Sequence, residues 1–525
     1  MLASIFYAAV IALLTSLSGL ALTPGKLRPA AKIALSYAVG FSMLSLAGLL
    51  SAAIGGSVFA VQLMVFLVSA GYVVRYKRLP GKLEKADKKA LLVSSVAVII
   101  FTCLLSQIPT WMAGDTLERA IEIRMFLEGE DIPVSVFPFG SYWAQYPKAF
   151  QAYTFFWVKL LGVEITEALK IIPILMSVYA PLGLYAIVRE HGEKNAALYA
   201  LAISCFGFIP HTAMFVWGGY TTLAGEMMLV AVILALIVEK RLLPILVGGL
   251  LFSHPRLLFF TVLIIGAWQS IHMMGAKRKL GVLGVMVLFV MVLAIGSMLY
   301  KTSYSVKTPT ETKSIIEAKT IDLDFALTWF FGLTAGFGLL YGIKRRSKLD
   351  ILVIAWIISL TALALIVDLG VISRHRLSID RILTELYLPL SVLGGYVFVI
   401  LDRKLKLRNG GFVLLSGIIV FGILASYMFV SGYYEPWSLP KPDYNAFTWL
   451  GEQGYDNTLL INLDSTGMWA YPISGIELVD PFMFTYNPPQ YVKELAANAS
   501  SENSLDDIEG LSQGYGRTLV YVSSV

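Results

Sequence analysis

The chain has 525 residues, 57% of them apolar or aromatic and only 14% charged, and its net charge is +6. Soluble domains carry about 25% charged residues, so a purely water-soluble enzyme is excluded, and an apolar-rich, charge-poor chain is the opposite of a disordered one. What remains is a polytopic membrane protein in which the surplus of Lys and Arg is an orientation signal and not a nucleic-acid surface.

In chain order, the first apolar run, 2–22, has no basic stretch before it and is followed by Lys26 and Arg28. It therefore reads as a retained helix and not as a cleaved signal. Further spans are expected at 33–53, 57–74, 90–109, 167–188, 196–210, 221–238, 281–300, 325–343, 350–371, 385–401 and 412–431. A short pair, 242–253 and 257–273, hinges at Ser253-His254-Pro255-Arg256. The expectation is an all-α polytopic membrane protein with about 14 transmembrane helices. Cys103 and Cys205 sit in apolar runs, which suggests neither a disulfide framework nor a thiolate metal site.

Alternate loops sort by charge. The loops 23–32, 75–89, 189–195, 239–241, 276–279, 344–348 and 402–408 hold 25 basic and 6 acidic residues, which places them in the cytosol and both termini outside the cell membrane. The tail, 432–525, has 12 acidic and 3 basic residues. Its β-rich runs 458–462 and 518–522 and its helix-like stretch 444–450 predict a small extracytosolic α/β domain.

The largest outer insertion, 110–148, carries six acids and three bases. From Asp115 to Leu127 the spacing predicts a helix, with Asp115, Glu118 and Glu122 at i, i+3, i+7 on one face. Asp115 has two readings: an N-cap that accepts a backbone N–H, with Glu118 three residues on, or a carboxylate poised at the membrane surface as a general base. After Tyr146-Pro147 comes the apolar stretch 149–162, too short to span, which predicts an interfacial helix lying flat.

This ordered set resembles the GT-C superfamily of membrane glycosyltransferases: a long first outer loop with Gly114-Asp115 and an amphipathic helix, then Tyr146-Pro147 opening a short apolar helix, then a span from Glu167 to an Arg189-Glu-His-Gly turn. The resemblance covers 90–431 as a transmembrane core, preceded by an N-terminal three-helix segment, 1–89, and followed by the tail domain, 432–525. It implies a polyprenyl-phosphate-linked sugar donor, an extracytosolic site, inversion at the anomeric carbon, and a first-loop acid, Asp115, as base. Family members often show two adjacent acids; here Thr116 follows Asp115 and Glu118 is the nearest second acid, so the choice between no metal and a divalent ion, Mg or Mn, stays open. The acceptor would be a glycan, lipid or protein.

Charge inside spans costs about 2.5–3.5 kcal/mol at a helix centre, so such residues draw functional interest. Glu226, His254, Arg256, Asp368 and Glu385 all fall at or just inside the outer ends of spans, and the outer loop 372–384 holds Arg374, His375, Arg376, Asp380 and Arg381 against the charge bias of that side. Guanidinium forks bind phosphate oxygens in pairs, so Arg374, Arg376, Arg381 and Arg256 are the candidate donor-phosphate ligands. Glu118, Tyr146, Glu226, His254 and His375 are the candidate pocket residues. The bland alternative is an interfacial loop that meets anionic headgroups among the membrane lipids, and for His254-Pro255-Arg256 it is a simple helix turn. A hexosyl or pentosyl transferase is the first functional expectation. Its rivals are a transporter or lipid-glycan flippase and a structural envelope protein.

Overall fold

A computed structural model of the chain describes residues 1–110, 114–129, 147–207, 214–215, 218–273, 334–345, 347–368, 382, 384–405, 410–453, 458–462, 469–478 and 517–521. The helices are α1 (Leu2–Leu20), α2 (Pro29–Ala53), α3 (Val58–Arg75), α4 (Lys85–Leu105), α5 (Gly114–Gly129), α6 (Ala149–Leu161), α7 (Ile165–Glu190), α8 (Lys194–Phe206), α9 (Tyr220–Val238), α10 (Leu243–Ser253) and α11 (Pro255–Met273). They continue with α12 (Lys348–Asp368), α13 (Tyr387–Leu405), α14 (Gly410–Trp437), α15 (Lys441–Glu452) and the short α16 (Ala470–Ser474). Strands β1 (Thr458–Asn462), β2 (Glu477–Leu478) and β3 (Arg517–Tyr521) form a parallel sheet in the order β2-β1-β3.

Among the described residues, seven helices are long and apolar enough to cross a membrane: α1 to α4, α7, α9 and residues Lys348–Val367 of α12. The expected span 281–300 lies outside the described residues. Of 325–343 only the part from Thr334 is described, and it is helical.

In an apolar bundle no water satisfies buried polar groups, so helices pair through small residues and internal hydrogen bonds. α1 and α2 cross at Gly19 and Gly40. A Cβ on Gly19 would lie 1.8 Å from the Ser36 carbonyl oxygen, and one on Gly40 would lie 2.0 Å from that of Thr15. The space is available only to glycine. Beside this crossing, the Tyr153 hydroxyl lies 2.6 Å from Thr15 Oγ1 and donates to Tyr37 at 3.3 Å. Gln62 Nε2 donates to the carbonyls of Leu44 (3.0 Å) and Ala152 (2.9 Å).

These contacts correct one expectation. The stretch 149–162 is not open to lipid over its first ten residues: residues 149–158 of α6 are buried on every side, packed against α2, α3, α5 and α7. The physical reason is that its polar side chains have inward partners. Tyr153 bonds α1 and α2, and Gln151 donates to Glu122 of α5.

The bundle has two chemically distinct ends. At one, the basic loops meet: Arg189 pairs with Glu84 at 2.6 Å, Arg28 with Glu190 at 3.5 Å, Lys26 with Glu239 at 3.5 Å, and Arg345 with Asp350 at 2.7 Å and with Glu193. These ties draw the ends of α2, α4, α7, α9 and α12 together, as the alternation of basic loops requires. The other end carries α5. There the Leu439 N–H donates to the Thr110 carbonyl at 2.9 Å and the Tyr471 hydroxyl donates to Glu128 at 2.6 Å, so the C-terminal residues that follow α14 rest on α5.

The α1–α2 crossing yields a measurable expectation. Gly40→Ala should lower thermal stability in detergent by an overpacking cost of about 1–3 kcal/mol, whereas Gly71→Ala, facing open space, should leave the unfolding midpoint unchanged or higher.

Candidate functional site

α5 is a polar helix laid on an apolar bundle, and one carboxylate holds it there. Glu122 is fully buried. It accepts from Arg119 Nη1 at 3.0 Å, from the Lys148 ammonium and from Gln151 Nε2, the last two at the head of α6. Arg119 also pairs with Glu118 at 3.3 Å. Burial opposes the Arg119 charge, yet Glu122, Glu118 and Asp115 together hold its pKa above the usual value. Burial pushes the Glu118 carboxyl up, with Arg119 pulling the other way. It also pushes the Lys148 ammonium down despite the attraction of Glu122.

Asp115 stands two turns before Glu122 on the same stripe. Because α5 begins at Gly114, Asp115 lies within the first turn and does not precede the helix as its cap; an acid there is favoured by the helix dipole. It is half-buried. Its backbone is fixed from the other side by Gly218, which has φ +81° and approaches so closely that a Cβ would lie 2.5 Å from Thr116 N and 3.0 Å from the Asp115 carbonyl carbon. The Thr116 hydroxyl donates to Tyr220 at 3.4 Å. The start of α5 is therefore seated on the turn that begins α9.

A second polar cluster lies farther down α9. Glu226, six residues or about 9 Å along the axis from Tyr220, is fully buried and accepts from the Tyr387 hydroxyl at 2.7 Å. The Glu226 and Glu385 carboxyls act on one another electrostatically. Arg256 Nη2 donates to His254 Nε2 at 3.3 Å, and Thr222 Oγ1 is 3.4 Å from the same nitrogen. Arginine has no acceptor, so this contact casts His254 Nε2 as the acceptor. Arg256 also acts electrostatically on Glu385.

Of the residues expected from sequence, the structure brings Glu226, His254 and Arg256 together around Glu385 and Tyr387, and sets Asp115 and Glu118 on the neighbouring α5. Tyr146, Arg374, His375, Arg376 and Arg381 lie outside the described residues. The buried partners Lys148 and Gln151 escaped sequence reasoning, because no local spacing links them to Glu122 across 130–146. Among the described residues no three His, Cys, Asp or Glu side chains are grouped as metal ligands. The second acid nearest Asp115, Glu118, is engaged by Arg119.

No family model matches this sequence, and no match arises among curated proteins. Among solved structures, the crystal structure of the Archaeoglobus fulgidus oligosaccharyltransferase complex with Zn and sulfate is similar to this chain, with a TM-score of 0.47 and 13% identity. The aligned region covers 80% of this chain and 66% of that one, so the chain spans a little under two thirds of its length. A likeness this distant transfers no residue role, substrate or ion.

The Glu122 hub predicts a large stability effect. Glu122→Ala should strand Arg119 and Lys148 in a buried site and cost about 3–5 kcal/mol, read as a drop in the thermal midpoint, while Glu128→Ala at the exposed end of α5 should cost far less.

Proposed function

We propose that this chain is an integral membrane glycosyltransferase of GT-C type that moves a sugar from a polyprenyl-phosphate-linked donor to an extracytosolic acceptor. The observation that supports this reading is the meeting of an acidic helix start with a buried acid, histidine and arginine cluster on the first turns of one helix, α9. Asp115 is held at the surface by Gly218 and the Glu122 hub, while Glu226, Glu385, His254 and Arg256 occupy the layer beneath. All of these charges collect at the end of the bundle opposite the Lys/Arg-rich loops. That arrangement suits a surface reaction with a lipid-borne substrate better than a path lined through the midplane.

In this reading Asp115 takes the proton of the acceptor hydroxyl as its oxygen forms a bond to the anomeric carbon. The bond from that carbon to the donor phosphate breaks on the opposite face, so the configuration inverts, and the phosphate leaves with the electron pair. Arg256, with Arg374, Arg376 and Arg381 of the outer loop, receives the negative charge on the leaving phosphate. Glu118, Tyr146, Glu226, His254 and His375 belong to the surrounding pocket. The bundle would have about 14 helices, with 1–89 as an N-terminal segment, 90–431 as the core and 432–525 as an extracytosolic α/β domain. Both termini and the site would face outward from the cell membrane, at the cell envelope. The acceptor class is a glycan, lipid or protein, and the sugar a hexose or pentose.

The test is transfer from a labelled polyprenyl-phosphate sugar by the purified chain in lipid vesicles. Asp115→Asn, folded by thermal and size criteria, should lose about 100-fold or more in rate, and Arg256→Ala should weaken use of the donor. Full transfer by folded Asp115→Asn would remove the base assignment. Sugar-lipid crossing the vesicle membrane without a new glycosidic bond would favour a flippase.

A further inference from the structure

The loop between α3 and α4 separates its charges. Residues 75–89 hold seven basic and two acidic side chains. Both acids are engaged by α7: Glu84 accepts from Arg189 at 2.6 Å, and buried Asp87 accepts from the Tyr185 hydroxyl at 3.0 Å. The cations are left facing outward, and at the end of α3 they are built into a stack. The Arg78 guanidinium lies 5.1 Å from the centre of the Tyr72 ring, the rings of Tyr72 and Tyr76 are 4.5 Å apart, and the Arg75 guanidinium lies 5.8 Å from the centre of Tyr76. The chain reverses at Lys77, which has φ +49° and is the one residue other than glycine with positive φ among the described residues. The Arg78 N–H then reaches the Val73 carbonyl at 3.1 Å, a helix ending whose left-handed position is ordinarily glycine. Lysine there places a cation where glycine would be unstrained. Lys32 of α2, itself buried, donates its ammonium to the Leu79 carbonyl at 3.0 Å, so a further positive charge sits against the same loop.

We propose that the end of α3 binds an anionic phospholipid, with the headgroup phosphate on Arg75, Lys77 and Arg78 and the acyl chains along the outer face of α3. A guanidinium held on an aromatic ring keeps its N–H edge open, and that edge matches two phosphate oxygens. The exposed residues Met64, Leu67, Val68, Tyr72 and Arg75 follow at i, i+3, i+4, i+8 and i+11, so one face of the helix leads from apolar side chains to the stack. Gly71 on that face has open space above it. Val74 and Leu79 are exposed beside the cations. Apolar groups flanking a phosphate site suit a lipid and do nothing for a free phosphate ion, and polybasic segments at the end of a span attract anionic lipid. The site lies at the end of the bundle opposite Asp115 and goes beyond glycosyl transfer. It is read without a sugar donor, so either reading can fail alone.

The experiment is native mass spectrometry of the full chain in mild detergent with an equal mixture of phosphatidylglycerol and phosphatidylcholine of the same acyl chains. The wild type should retain the anionic lipid over the zwitterionic one by about tenfold. Arg75→Gln with Arg78→Gln should abolish most of that preference, and Tyr72→Leu, which removes a ring and no charge, should lower it. Lys88→Gln with Lys89→Gln removes the same charge from outside the stack and should leave the preference unchanged. Folding is checked by size and thermal midpoint, and either stack variant suffices if the other does not fold. Equal retention of the two lipids by the wild type, an unchanged preference in a folded stack variant, or an equal fall in both double variants would overturn the proposal. So would displacement of the lipid by an equal concentration of inorganic phosphate, which would mark a site for the free ion.

Discussion

The seating of α5 depends on one buried carboxylate. A helix with the sequence GDTLERAIEIRMFLEG buries Leu117, Ile121, Ile123 and Phe126, but it carries Glu118, Arg119 and Glu122 into the bundle with them. Glu122 resolves this by gathering Arg119 from its own helix and Lys148 and Gln151 from α6. The desolvation that each charge suffers is offset only because all of them meet at one point. Asp115, two turns away on the same stripe, is carried into place by that contact.

The same rule operates deeper in the bundle without formal charge. Gln62, Tyr153, Tyr37 and Thr15 spend their hydrogen bonds on neighbouring helices, and Gly19 with Gly40 lets two backbones approach until no side chain fits between them. α6 is thereby locked among α2, α3 and α7. A rigid α6 gives Lys148 and Gln151 fixed positions from which to hold Glu122, so the interior packing and the polar end form one mechanical chain.

Much of the candidate site was legible before any coordinates. The i, i+3, i+7 face of Asp115, Glu118 and Glu122 follows from helical period alone, and the placement of Glu226, His254, Arg256 and Glu385 near span ends follows from hydropathy and the bias of basic loops. The burial of α6 was not legible, because a 14-residue apolar run has the same composition whether it lies at an interface or among other helices. Only the partners of Tyr153 and Gln151, on α1, α2 and α5, distinguish the two.

The sequence by itself determined that the chain is a helical membrane protein and where the seven membrane-crossing helices among the described residues run. These depend on local composition and period, which each segment carries within itself. The tertiary structure decided that the Tyr387 hydroxyl reaches Glu226 across 161 residues, that Lys148 and Gln151 donate to Glu122, and that Gly218 clamps the start of α5. Such contacts depend on which helices pack side by side. That is fixed by the fit of small residues and buried polar pairs across the whole bundle, and no single segment records it.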